Sequence, residues 1–133
     1  METIVIDASA LAELLVSPKP AAELRQRVLL ARMAAPDLID VEACNVLRRL
    51  ERGGKLDSDQ ASTAMATLES VPIARVPHRA LLRRAWAMRH SVATYDATYV
   101  ALAEQLDLPL VTCDAKLARS HGHSAKIELY PVS

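Results

Sequence analysis

Four acidic residues stand at the edges of structural elements instead of within a charged face. Asp7 and Asp114 each follow a short apolar run, whereas Glu42 and Asp96 lie in the first turns of two helix-like segments. Carboxylates that converge repel one another and raise one another's pKa, and an ionised cluster of this kind binds divalent cations. If folding brings these four side chains together, we expect them to form a metal site.

Length and composition predict one globular domain. The chain has 133 residues, 51% hydrophobic and 24% charged, which is enough for a core without disulfide or metal staples. It contains no repeat, linker or low-complexity segment, so residues 1–133 are expected to form a single domain. The net charge of zero neither supports nor excludes a nucleic-acid partner.

Cysteine usage and hydropathy indicate the compartment. Cys44 and Cys113 are too few for a disulfide framework, and both lie in apolar stretches, which predicts buried thiols in a reducing environment. The N-terminus lacks a basic signal-peptide region, and no apolar run approaches the roughly 18 residues that span a bilayer. We therefore expect a cytoplasmic protein with no membrane segment.

Short strands and helices alternate along the chain, and this alternation predicts an α/β fold with a mostly parallel central sheet flanked by helices. Strands are predicted at residues 3–7, 73–76, 108–112 and 127–130, with a short link or strand at 34–36. Helices are predicted at residues 9–16, 21–33, 58–70, 78–89 and 115–120, and Pro20 stands at the start of the second of these. Two further helices are predicted from a cap at Asp37 to Gly53 and from a cap at Thr94 to Leu106.

The predicted elements place the acids in related positions. In open parallel sheets, functional groups gather beyond the carboxyl ends of the strands, where Asp7 and Asp114 would lie. In the helix after Asp37, the 100° helical periodicity places Glu42 on one side with Asn45, Arg49 and Arg52, away from the apolar residues. Considered alone, Glu42 is as well explained by a solvated helix face.

Asp96 lies in a segment that is apolar nearly all round, as in a helix buried between layers. A carboxylate there is costly unless it is paired. The helix N-terminal dipole offers a simpler explanation, at roughly 0.3 to 1 kcal/mol, but it does not account for acids at two strand ends.

Four segments carry a family resemblance: residues 4–11 (IVIDASAL), 40–47 (DVEACNVL), 95–97 (YDA) and 112–117 (TCDAKL). Together they resemble the PIN-domain ribonucleases, specifically the VapC toxins of bacterial and archaeal toxin–antitoxin pairs. The resemblance spans most of the chain in order, and its most specific part is the block from 95 to 117. Asp107, at a helix exit where glycine or asparagine is common, and Cys113, before the last acid, depart slightly from the pattern without touching the carboxylates.

The resemblance implies a single PIN-like domain that cleaves RNA endonucleolytically with Mg²⁺ or Mn²⁺. Mg²⁺ prefers oxygen ligands and keeps several waters, so a few carboxylates suffice. Our hypothesis is that Asp7 and Asp96 are the principal ligands, that Asp114 completes the site, and that Glu42 holds a second ion or orients the attacking water. Two ions roughly 3.5 to 4 Å apart would activate water and stabilise the leaving oxygen. Ser9 and Thr112 would support the ligands as hydroxyl donors.

Basic residues near the acids are candidates for phosphate contacts. Arg49 and Arg52 follow Glu42, and Arg83, Arg84 and Arg89 precede Asp96; either group could steer RNA phosphates, although a solvated face explains any single arginine. Aromatic residues make up only 3% of the chain, which argues against a stacking platform for single-stranded nucleic acid.

Two other functional classes stay open on the residues alone. One is a non-catalytic interaction module with the same fold; the other is a phosphohydrolase with Asp7 as nucleophile, which lacks a second Asp where Ser9 stands. The resemblance further implies a cognate antitoxin and a homodimer. The apolar face of the helices over 37–70 is a possible clamp for an antitoxin helix, although core packing explains it more simply.

Overall fold

A computed structural model describes residues 1–19 and 22–132, which form a five-stranded parallel sheet with helices packed on it. The strands are β1 Glu2–Ile6, β2 Ala31–Pro36, β3 Ile73–Val76, β4 Leu110–Thr112 and β5 Ile127–Leu129. The described helices are α1 Ala8–Val16, α2 Ala22–Leu29, α3 Ile39–Arg52, α4 Ser58–Ser70, α5 Leu82–Ala87, α6 Thr94–Leu106 and α7 Ala115–Ala118, and a 3₁₀ turn, Arg79–Leu81, precedes α5.

The order of the strands creates a switch point beside β1. The sheet runs β3-β2-β1-β4-β5, and all of its pairings are parallel, so the predicted parallel α/β fold is confirmed. From β1 the chain builds outward to β2 and β3, then returns to add β4 on the other side. In open α/β sheets, ligands bind beyond the carboxyl ends of the strands at such a point.

A single large core covers the sheet. Its members are buried side chains from β1, β4 and α6, including Ile4, Ile6, Leu102 and Leu110. α6 lies against β1, β2 and β4, while α1 packs with α3 and α4. The near-continuous apolar character of β1 and α6 therefore reflects burial on more than one side, as expected in a parallel sheet.

Several predicted boundaries were wrong. The helix expected over 21–33 is α2, Ala22–Leu29, and Ala31 already belongs to β2; its predicted start, at residues 20 and 21, lies outside the described residues. Residues 34–36, expected as a short link or strand, belong to β2. Residues 31–33 are also strand because they pair with β1, so sheet pairing overrides their helical propensity. α3 and α6 have Leu38 and Ala93 as N-caps, with no side-chain cap bond, instead of Asp37 and Thr94.

Two further expectations concern solvent exposure. Cys44, expected to be buried, is exposed on α3, and Cys113 is half-buried.

Within the part of the chain that the structure describes, no helix has the length and apolar character to cross a bilayer.

Candidate active site

Asp7 ends β1 and also caps α1. Its side chain is 3% exposed, and three donors reach it: the Ser9 hydroxyl at 2.7 Å and the Ala10 amide at 3.0 Å, both to Oδ1, and the Thr112 hydroxyl at 2.5 Å to Oδ2. Burial raises the pKa of Asp7, although these hydrogen bonds oppose the rise. The carboxylate is therefore held in one orientation at the edge of the sheet.

Two hydroxyls connect the ends of β1 and β4. Thr112 is fully buried, and its Oγ1 also accepts a hydrogen bond from the Asp114 amide at 3.0 Å. Oγ of Ser9 accepts one from the Cys113 amide, also at 3.0 Å. The chain just after β4 is thereby fixed beside Asp7.

Asp114 caps α7 from the adjacent strand end. Its Oδ1 accepts hydrogen bonds from the amides of Lys116 at 2.9 Å and Leu117 at 3.4 Å. As the sequence suggests, Asp7 and Asp114 follow neighbouring parallel strands, and both lie at the switch point.

Asp96 faces the other three acids from the first turn of α6. Burial, followed by repulsion from Asp114, Asp7 and Glu42, raises the pKa of Asp96 to about 6, and the charge of Lys116 opposes this. A carboxylate feels its neighbours in this way only when they lie close by. The fold thus gathers all four predicted acids into one electrostatic group.

Glu42 is held by a residue that sequence reasoning missed. The Tyr99 hydroxyl donates a 2.6 Å hydrogen bond to Oε1 of Glu42, and Tyr99 itself is 1% exposed. Burial raises the pKa of Glu42, the Tyr99 bond lowers it, and the charge of Asp7 raises it further. Glu42 is therefore part of the group and not of a solvated face. Tyr99 lies three residues after Asp96 on the same helix face, which was the available signal.

The arginines of α3 lie on its open side. Arg49 and Arg52 are exposed, and the charge of Arg49 lowers the pKa of Glu42 against the effect of burial. The predicted division of this helix into a polar and an apolar side is confirmed, because Ala43 and Leu47 are buried.

The donor set suits a hard divalent ion that retains water. Among residues 1–19 and 22–132, no three His, Cys, Asp or Glu side chains converge into a ready-made metal cage. Mg²⁺ does not require one, because one or two carboxylates usually hold it along with several waters. A carboxylate has about four acceptor positions, so three donors leave Asp7 about one for an ion. The geometry fits an open, carboxylate-only site.

Comparison with known proteins identifies the family. The model of the PIN domain matches residues 4–121. Ribonuclease VapC12 of Mycobacterium tuberculosis is 36% identical over 126 residues, which cover 95% of this chain and 98% of that protein. The chain belongs to the VapC group of the PIN-domain family. All four acids of this PIN domain lie within the matched residues.

Solved structures share the architecture of this PIN domain. PAE2754 from Pyrobaculum aerophilum superposes with a TM-score of 0.64 at 29% identity, covering 94% of this chain and 89% of that one. A toxin–antitoxin complex from Klebsiella pneumoniae superposes with a TM-score of 0.63 at 16% identity, covering 97% and 99%. At that identity the second likeness concerns the fold alone.

Proposed function

We propose that the protein is a divalent-metal-dependent endoribonuclease and the toxin of a toxin–antitoxin pair. The observation that carries this proposal is the group of acids at the switch point, where burial and then the charges of Asp114, Asp7 and Glu42 raise the pKa of Asp96. Membership of a family whose relatives include ribonucleases such as VapC12 supports RNA as the substrate.

The four acids take different roles. Asp7 and Asp96 would hold Mg²⁺, or Mn²⁺ in its place, Asp114 would complete the site, and Glu42 would hold a second ion or orient the attacking water. The bound metal would supply activated water and neutralise charge at the leaving oxygen. Ser9 and Thr112 fix the orientation of Asp7, while Tyr99 fixes that of Glu42. Arg49 and Arg52 remain candidates for contacts with RNA phosphates.

The decisive experiment is metal-dependent cleavage of defined RNA. Purified protein is incubated with tRNA, rRNA and mRNA pools in Mg²⁺, Mn²⁺ or EDTA, and the cut sites are mapped. We expect cleavage only with metal, and its loss in Asp7→Asn and Asp96→Asn. Asp59→Asn is the matched control, because Asp59 is exposed on α4. Cleavage in EDTA, or full activity of either site variant, would contradict the metal assignment.

The surroundings of Asp7 argue against a phosphohydrolase with an aspartyl nucleophile. Both of its oxygens accept hydrogen bonds that hold the carboxylate in one orientation, and Ser9 stands where such an enzyme needs its second Asp. The non-catalytic module is the outcome indicated if no RNA is cut under any metal condition.

We also propose a cognate antitoxin and a homodimer as partners. The structural neighbour from Klebsiella pneumoniae is a toxin–antitoxin complex, which supports the first. The apolar faces of α3 and α4 pack together through Leu47 and Ala64, with Leu56 from the connection between them, so core packing explains these faces better than a free clamp does. Co-expression with a candidate antitoxin, followed by sedimentation analysis, tests both partners: a cognate antitoxin is expected to co-purify and suppress cleavage.

A further inference from the structure

The segment before Asp96 is strongly basic in a chain that has no net charge. From Ser70 to Tyr95 there are five arginines and two histidines but no Asp or Glu. Arg75 is paired with Asp40, and Arg84 with Glu104. The other arginines of the segment form no salt bridge with any of residues 1–19 and 22–132: Arg79, Arg83 and Arg89. Their charge is available to an anionic partner.

An exposed aromatic ring lies within this basic segment. Trp86 is 67% exposed on α5 and Tyr95 is 68% exposed at the start of α6, although the low aromatic content of the chain argued against a stacking platform. The guanidinium carbon of Arg89 lies 4.4 Å from the centroid of the Trp86 ring, and Nη1 of Arg89 donates to the Trp86 carbonyl at 3.0 Å. Arg89 is therefore held in place by Trp86.

The same arginine lines a cleft that reaches the candidate active site. The cleft has a volume of about 260 Å³, and its wall includes Arg89, His90, Lys116 and Asp96. It is smaller than the pockets of roughly 300 to 1,000 Å³ that hold drug-sized ligands, but it is open to solvent and suits part of a strand. Cationic residues outnumber acidic residues on the wall of this cleft. The acids on the other side of the switch point, by contrast, repel phosphate.

A larger cleft elsewhere has the opposite charge. It lies near the amino ends of β1 and β4, has a volume of about 450 Å³, and its charged residues are Glu2, Glu104, Asp107, Glu128 and a single Lys126. Phosphates are repelled there, so size alone does not select the site for an anionic strand.

We propose that the cleft beside Asp96 is the subsite for a nucleotide of single-stranded RNA next to the cleaved bond. Arg89 and Lys116 bind its phosphate, and a neighbouring unpaired base stacks on Trp86. The inference rests on the proposed function for its place in the reaction. In this proposal Arg89 and Trp86 position the RNA. The bound RNA must contain unpaired bases, because only these expose a face to the Trp86 ring.

The test measures RNA binding separately from cleavage. The probe is a fluorescein-labelled, mixed-sequence single-stranded RNA of about twelve nucleotides, and anisotropy is recorded in EDTA across a salt series. Arg89→Gln is expected to weaken binding about tenfold at low salt and to reduce the slope of log affinity against log salt by about 0.7. Trp86→Ala is expected to weaken binding roughly fivefold to a hundredfold with little change in slope.

Matched variants and substrates separate stacking from general charge. Arg32→Gln removes the same charge at the amino end of β2, from an exposed residue, and is expected to leave affinity within about twofold. Trp86→Phe keeps a ring and is expected to retain most of the affinity, whereas duplex RNA of the same sequence is expected to be insensitive to Trp86→Ala. Thermal unfolding of each variant verifies that the fold is intact.

The two proposals fail in different ways. If wild-type protein binds RNA through Arg89 and Trp86 but cleaves none with Mg²⁺ or Mn²⁺, the ribonuclease proposal fails and the subsite stands. If cleavage requires Asp96 but neither Arg89→Gln nor Trp86→Ala alters RNA binding or cleavage, the subsite is overturned. It is also overturned if Trp86→Ala abolishes self-association or antitoxin binding while RNA affinity is unchanged, because the ring then belongs to a protein interface.

Discussion

The Tyr99 hydroxyl and Oε1 of Glu42 lie 2.6 Å apart and join α6 to α3. Burial, together with the hydrogen bond to Glu42, raises the pKa of Tyr99, so the phenol stays protonated and remains a donor at any ordinary pH. One buried ring thereby sets the position of an acid that belongs to a different helix.

Replacement of Tyr99 by Phe is expected to lower the cleavage rate roughly tenfold to a hundredfold with little effect on fold. A hydrogen bond to a charged group contributes about 1.5 to 3 kcal/mol, and its loss leaves Glu42 free to rotate. Single-turnover cleavage of RNA measures the effect. Tyr130→Phe is the control, because the Tyr130 hydroxyl makes a comparable bond to Glu128, which is not one of the four acids. If Tyr99→Phe and Glu42→Gln act additively in a double-mutant cycle, Tyr99 does not work through Glu42.

Thr112→Val is expected to lower the free energy of unfolding by about 1 to 3 kcal/mol at neutral pH. The substitution keeps the shape but removes the hydroxyl that donates to Asp7 and accepts from the Asp114 amide, leaving buried polar atoms without partners. Urea denaturation measures the loss. Thr112→Ser retains the hydroxyl and is expected to be affected less. Equal stability of the two variants would show that the hydroxyl does not matter.

Asp96→Asn is expected to stabilise the metal-free protein at about pH 7.5. The folded pKa of Asp96 is about 6 against an ordinary 3.8, so the folded state holds the proton more tightly. The contribution of this tighter proton binding to the free energy of unfolding is fully present below pH 3.8, and it is lost as the pH rises through about 6. Asp96 is only partly buried, so solvent screening reduces the expected gain in the free energy of unfolding to about 1 kcal/mol. This gain corresponds to a rise of roughly 3 to 5 °C in melting temperature.

Thermal unfolding in EDTA at a series of pH values checks this sign. The advantage of Asp96→Asn is expected to disappear near pH 4, and Asp59→Asn is expected to show none at any pH. Addition of Mg²⁺ or Mn²⁺ is expected to raise the melting temperature of the wild type but not of Asp96→Asn, because only a bound ligand shifts the equilibrium. A variant no more stable than the wild type at neutral pH would mean that the acids do not repel one another there.

Gly122→Ala is expected to lower the free energy of unfolding by more than Gly54→Ala does. Both glycines have positive φ, at +88° and +76°, so both substitutions strain the backbone by about 1 to 2 kcal/mol. A Cβ at Gly122 would also lie 2.9 Å from Oγ of Ser91, whereas one at Gly54 meets no atom within 4 Å. Chemical denaturation measures the difference. In a Ser91→Gly background, the excess cost of Gly122→Ala is expected to vanish.

The sequence predicted best those features that depend on local chemistry. The helix over residues 58–70, the apolar side of α3 and the acids after β1 and β4 were all visible in residue order. Alternation of strands and helices was enough for the parallel sheet, because parallel strands need crossover connections.

Features decided by long-range packing were not visible. Ala31, Arg32 and Met33 have helical propensity, and only their pairing with β1 makes them part of a strand. The Tyr99 bond to Glu42 links residues 57 apart in sequence, and composition counts aromatic rings without showing that Trp86 is exposed. Each of these depends on contacts that form only when the helices dock.

The switch point also has a consequence for the order in which the protein is made. The hydrogen bond between Thr112 and Asp7 spans 105 residues, and β4 joins the sheet beside the first strand. A nascent chain therefore carries Asp7 and Glu42 long before Asp114 can reach them, since synthesis proceeds from the N-terminus. With Asp114 completing the site as we propose, RNA cleavage can begin only after β4 has docked, which is late in the synthesis of the chain.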